Sequence, residues 1–175
     1  DMLQSCRSIE ETFPVIGQYL KKLFPEDTCS LYLHDGSRQN IDRVLPPVTE
    51  SDICEPMTND DCWALRRGKS YHFKEVADEL VCDHVKEPFQ NGYICNPLIA
   101  HGVTIGLLNI IFAGAAGSRE DNDGSDQERK VRLSLRLADH LSLALANLKL
   151  QEELKVKSTQ DSLTGLANRR YMEEI

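Results

Sequence analysis

Cys62, Cys82, His84 and Cys95 are the residues with the most chemistry to offer in this chain. Thiolate and imidazole together suit zinc, iron or haem. Their spacings are not those of a zinc motif, and reduced cysteines are also common core residues. Four more side chains suit a small-molecule pocket. Trp63 could stack on a ligand or anchor a helix against a sheet. Arg66, with Arg67 beside it, suits an anionic group such as a phosphate, or a solvated face. His72 and Tyr93 could hydrogen-bond a ligand or serve as satisfied structural groups. No Ser-His-Asp order, Walker loop or paired-carboxylate pattern appears.

These residues must be positioned by one domain of ordinary size. The 175 residues leave room for that domain and one or two long helices. A formal net charge of −8, with no clustered Lys and Arg, argues against nucleic acid. The longest apolar runs, such as "VTIGLLNIIFAGAAG", are interrupted and too short to span a bilayer. No signal peptide is evident, and a start at Asp1 without Met leaves upstream segments open. The six cysteines form no closely spaced even framework and include no Cys-x-x-Cys. That usage predicts mostly reduced thiols and a cytoplasmic location.

The element order is helix, strands, short helix, strands, long helix. Met2, Cys6, Ile9, Phe13, Ile16, Leu20 and Leu23 recur in steps of four and three. This heptad seam predicts a helix over residues 1–24 that pairs with another helix. Pro14 should kink or restart it, with Thr12 as a possible cap. "TCSLYLHD" and "IDRVL" read as paired strands around "GSRQN". "TNDDCWALRRG" reads as a short helix capped by Asn59 or Asp60 and closed by Gly68. "KSYHF" is a short strand. "GYICNPLIAHGVTIGLLNIIF" is a hairpin turning at Gly102 and His101, with a bulge expected near Pro97. Ile94 and Leu98 should face the terminal helices, and Cys95 the pocket.

Ser125-x-x-Glu128 forms a capping box before a long helix from about Asp126. Up to Leu150 that helix is apolar on more than one face, so it needs a second partner. Leu141 and Leu148 are expected in that interface. The fold class is therefore α/β (α+β). An antiparallel sheet should carry the terminal helices on one face and short helices and loops over a pocket on the other.

"DCWALRRGKSYHF", "VCDH" and "GYICNPLIAHGVTIGLLNI" together resemble the GAF sensory domain, in the version that precedes diguanylate cyclases. The likeness covers roughly residues 10–150. "DSLTGLANRR" resembles the signature that opens a GGDEF domain, the domain that makes cyclic di-GMP from two GTP molecules. The resemblance implies a dimerisation helix (1–24), a GAF core (25–125), a signalling helix in a coiled coil (126–158) and the start of a truncated GGDEF domain (159–175). Asp161, Leu163, Thr164, Gly165, Asn168, Arg169 and Arg170 would form the signalling hinge. None of the catalytic loop or metal-binding carboxylates of a cyclase is present, so these residues alone should not catalyse the reaction.

In a GAF-like arrangement Cys62, Trp63, Arg66, His72, Cys82, His84, Tyr93 and Cys95 would border the pocket. Some relatives attach a bilin through a cysteine beside a histidine; Asp83 separates Cys82 from His84 here, which departs from that pair. The implied function is a homodimeric sensory module that binds an unidentified small molecule, or senses redox state, and controls its own C-terminal cyclase. A ligand-free dimerisation module is the alternative. A thiol enzyme is the third reading, since some free-standing GAF proteins reduce free methionine sulfoxide.

Overall fold

The computed structural model describes residues 2–35, 40–46, 57–74, 80–86, 91–113 and 123–159. Its centre is a six-stranded antiparallel sheet in the order β3-β2-β1-β6-β5-β4. The strands are β1 (Thr28–His34), β2 (Asn40–Leu45), β3 (Met57–Thr58), β4 (Tyr71–Phe73), β5 (Tyr93–Ala100) and β6 (Val103–Ile111). The helices are α1 (Ile9–Leu23), α2 (Trp63–Arg67) and α3 (Asp123–Thr159). This is the expected fold class.

The β5–β6 hairpin turns on two residues, His101 (φ 52°) and Gly102 (φ 75°), both left-handed. Such a turn matches the twist of the strands it joins. The bulge falls between Leu98 and Ile99, one residue past Pro97. Pro97 pairs with Leu107 on one side, while β4 reaches only to Cys95 on the other. The missing N–H of proline is thus tolerated where β5 has become an edge.

Alternation along β5 separates two cores. Ile94 and Leu98 join Leu31, Leu108 and Ile110 beneath α1 and α3. Tyr93 and Cys95 join Ile41, Phe73 and Leu107 beneath α2 and residues 82–85. One polar pair crosses the first core: Asn96 donates to the Ser134 hydroxyl of α3 at 3.1 Å. The face assignment of Cys95, Ile94 and Leu98 holds.

Helix α1 departs from expectation at both its start and its use. Ser8, not Thr12, is the N-cap, accepting from the Glu11 amide at 3.4 Å. The helix runs through Pro14, whose side lies in solvent, while Thr12 is buried and bonds back to the Ile9 carbonyl at 2.5 Å. The heptad seam is spent within the chain. Ile16 and Leu20 are buried against the sheet and α3, with Ile9, Phe13 and Leu23 packed around them. Met2 stands exposed. The Ile9 amide donates to Glu152 of α3 at 3.0 Å, so the helix partner of α1 is α3 of the same chain.

Helix α3 begins at Asp123, three residues before the expected start, so Ser125 lies within the helix rather than capping it. Leu141 and Leu148 also need correction. Both are buried in the chain's own structure, on the same face as Ala138 and Leu145. The surplus apolar surface is instead Leu135, Leu143, Leu150 and Leu154. At 3.6 residues per turn these four share an arc about 100° wide, opposite the buried face.

A buried ion pair fastens the start of α3. The Asp27 carboxylate accepts from Lys130 at 3.0 Å and from the Ala113 amide at 2.9 Å, and its side chain is fully buried. Removing one partner leaves a buried charge uncompensated, which costs more than the pair contributes. Lys130→Met is expected to destabilise the fold by about 3 kcal/mol, read as a lower urea midpoint at an unchanged slope. Asp27→Asn with Lys130→Met together should recover part of that loss.

Candidate functional site

Three segments bring four side chains to one place. Cys62 is the residue before α2, where the 3-10 turn Asn59–Asp61 gives way to the helix. That turn is capped by Thr58, not by Asn59 or Asp60: the Asp61 carboxylate accepts from the Thr58 amide at 2.7 Å and from its hydroxyl at 2.8 Å. Gly68 closes α2 in the left-handed conformation, as expected. Cys82 and His84 lie in residues 80–86, which have no regular structure beyond the turn from the Val85 amide to the Cys82 carbonyl. Cys95 is in mid-strand on β5.

The four ligand-type atoms, three Sγ and one imidazole nitrogen, all lie within 4.8 Å of one another. The Sγ atoms of Cys62 and Cys82 are 3.9 Å apart, and Cys95 Sγ is 3.4 Å from His84 Nε2. Cys62, Cys82 and Cys95 are buried, and His84 is half-buried. The second ring nitrogen of His84, Nδ1, has no hydrogen-bond partner among the described residues.

Hydrogen-bond donors point at two of the sulfurs. The Trp63 amide donates to Cys82 Sγ at 3.4 Å, and the Asn109 side-chain amide donates to Cys95 Sγ at 3.4 Å. Tyr93 holds the segment from beneath, its hydroxyl accepting from the Cys82 amide at 2.8 Å. Tyr93 stacks on Phe73 with ring centroids 5.0 Å apart, and Tyr32 meets the His84 ring edge-on at 5.9 Å.

The three thiols are shifted in different directions. Hydrogen bonding from Cys62, and then from Cys95, holds the Cys82 thiol far below its ordinary range. The same bond to Cys82 pushes Cys62 up to about 12. Burial drives Cys95 well above the usual thiol value.

The other expected residues divide. Trp63 is half-buried beside the cluster, with the Arg66 guanidinium over its ring at 4.8 Å. Arg66 itself is exposed and donates to the Asp60 carbonyl at 2.7 Å, so it faces outward. His72 pairs with Ile94 and packs edge-on against Phe112, which puts it on the α3 side of the sheet, away from the thiols. Two neighbours of the cluster, Tyr32 and Asn109, were not anticipated. Asn109 was detectable as a polar interruption in the run "GLLNIIF". Cys6 and Cys29 stand apart from the cluster, and burial, then Asp27, pushes the Cys29 thiol up to about 12. Cys54 and the hinge residues Asp161, Leu163, Thr164, Gly165, Asn168, Arg169 and Arg170 lie outside the described residues.

A profile of the GAF domain family matches residues 8–145. Among solved structures, the GAF domain of an Acinetobacter phosphoenolpyruvate-protein phosphotransferase is 13% identical, with a TM-score of 0.60 over 85% of this chain and 89% of that one. A GAF domain/HD domain protein of Geobacter sulfurreducens is 14% identical, with a TM-score of 0.59 over 85% and 98%. The free methionine-R-sulfoxide reductase of Neisseria meningitidis, solved with its substrate, is 16% identical, with a TM-score of 0.56 over 86% and 85%. No curated protein matches the chain. No described helix is long and apolar enough to cross a membrane.

The contact between Tyr93 and the Cys82 amide generates a prediction. Tyr93→Phe deletes the acceptor and leaves that buried N–H unsatisfied, at a cost of about 2 kcal/mol. Hydrogen exchange should quicken at Cys82 and Val85 before it does in β5 or β6.

Proposed function

The chain belongs to the GAF domain family, and from that membership we propose that it is the sensory part of a diguanylate cyclase. GAF domains are generally regulatory modules without catalysis of their own. The output follows from the resemblance of "DSLTGLANRR" at residues 161–170 to the opening of a GGDEF domain.

The observation that carries the reading is the two-faced helix α3. One face packs on the sheet and α1 through Ala138, Leu141, Leu145 and Leu148. The opposite face presents Leu143 and Leu154 at 57% exposure and Leu150 at 52%. The helix then leads toward the GGDEF-like segment. A second copy of α3 is the partner that covers this stripe, giving a parallel dimer with two output domains side by side. Joining two GTP molecules into a cyclic dinucleotide requires two active sites to meet, so a small change in the dimer gates the product.

The input is a small ligand or a redox change in the pocket on the α2 side of the sheet. It acts by favouring one of two dimer arrangements, through a difference in affinity for the two. A thiol enzyme would need a sulfur open to its substrate, whereas Cys62, Cys82 and Cys95 are buried. A ligand-free dimerisation module would leave output indifferent to His84.

The 175-residue chain is expected to sediment as a dimer and to make no cyclic di-GMP from GTP. Leu143→Glu with Leu150→Glu should yield a folded monomer, because charge in an apolar interface is costly; an unchanged dimer would sink the helix reading. In a chain continued through a complete cyclase domain, the same pair should lower cyclic di-GMP production at least tenfold. His84→Ala should alter the rate while leaving the dimer intact.

A further inference from the structure

We infer that Cys62, Cys82, His84 and Cys95 form a closed tetrahedral zinc site, a site that stands independently of any cyclase output. Zinc bound by three sulfurs at about 2.3 Å and one nitrogen at about 2.1 Å has sulfur–sulfur edges of about 3.8 Å and sulfur–nitrogen edges of about 3.6 Å. The chain holds its sulfurs at 3.9 Å between Cys62 and Cys82, and sulfur to imidazole at 3.4 Å between Cys95 and His84. All four atoms fit within 4.8 Å. A disulfide would need its sulfurs at about 2.05 Å. Two separations lie within about 0.2 Å of those edges, and a pair as far apart as 4.8 Å would draw in by about 1 Å on binding.

The ligand chemistry selects the metal. Three thiolates and a neutral imidazole are soft and borderline donors, which suit zinc over calcium or magnesium. His84 presents Nε2 to the sulfurs, and zinc on that nitrogen would put the ring proton on Nδ1. With three thiolates the bound centre carries a net charge of −1. The two N–H groups aimed at Cys82 and Cys95, from Trp63 and Asn109, offset that charge and orient the ligands. With four protein ligands, no position remains for water or substrate, so the metal is structural rather than hydrolytic.

Its work is mechanical. Residues 80–86 have little regular hydrogen bonding, yet they supply two of the four ligands. The cation would clip this segment and the start of α2 to the centre of β5. Metal binding then becomes folding free energy for the face of the sheet opposite α3.

The test uses the 175-residue chain purified reduced and without chelator. Elemental analysis should find about one zinc per chain, and after removal of the metal, cobalt(II) should give the visible and sulfur charge-transfer bands of a tetrahedral thiolate site. Cys82→Ser, Cys95→Ser and His84→Ala should lose stoichiometric zinc, whereas Cys6→Ser and Cys29→Ser should retain it. Asn109→Ala, which touches no metal, should weaken zinc about tenfold in a chelator competition. Less than about a tenth of an equivalent of zinc, with no tetrahedral cobalt spectrum from the unmutated chain, overturns the proposal. Stoichiometric iron in place of zinc overturns it as well.

Discussion

Everything in this domain depends on the pleat of β5. A strand in a sheet covered on both faces must satisfy two environments with alternate residues. Here Ile94, Asn96 and Leu98 turn toward the helical layer, while Tyr93 and Cys95 turn toward the thiols. A slip of one residue would exchange the two sets. It would place a thiol beneath α3 and an isoleucine where His84 and Asn109 now converge. The two-residue turn at His101 and Gly102 fixes the register with β6, and the bulge at Leu98 and Ile99 lies beyond the residues that matter most.

Much of this was legible in the residues. The hairpin, the two faces of β5 and the left-handed glycine closing α2 each rest on local rules that act over a few positions. What was not legible depends on three-dimensional partners. The seam of α1 has the spacing of a helix–helix contact, and periodicity cannot say whether the other helix lies in the same chain. The wide apolar surface of α3 suggests two partners, but periodicity alone does not assign Leu141 and Leu143 to their sides. Pro14 suggests a kink or a restart because its cost is local. The buried contacts of Thr12, Ile16 and Leu20 outweigh that cost in the folded chain. His72 alternates with Tyr71 and Phe73, and only the pairing of β4 with β5 reveals that it lies on the far side.

The thiol cluster is an exception to the rule that makes the rest of the core stable. Buried polar groups are normally satisfied in pairs, and apolar replacement of such groups is often neutral. Three sulfurs and an imidazole are packed here among Phe73, Tyr93 and Leu107, in the low-dielectric core. Cores seldom keep such an arrangement without use for it, since the same volume could hold apolar side chains. The domain thus has one apolar side and one side that carries the thiols and the imidazole, separated by one layer of backbone.

The polar anchors of α3 to the sheet are concentrated in its first half. Gln127 donates to the Asn91 carbonyl, Lys130 meets Asp27, and Ser134 accepts from Asn96. Farther along, contact with the sheet side is chiefly apolar, until Glu152 accepts from the Ile9 amide. Directional bonds at the front therefore set the angular phase of the helix, and the covalent backbone carries that phase onward at about 100° per residue. One residue inserted after Ser142 would swing Leu150 and Leu154 by nearly a third of a turn while leaving every front anchor in place. The length of this helix, counted in single residues, is thus itself a determinant of what its far end can face.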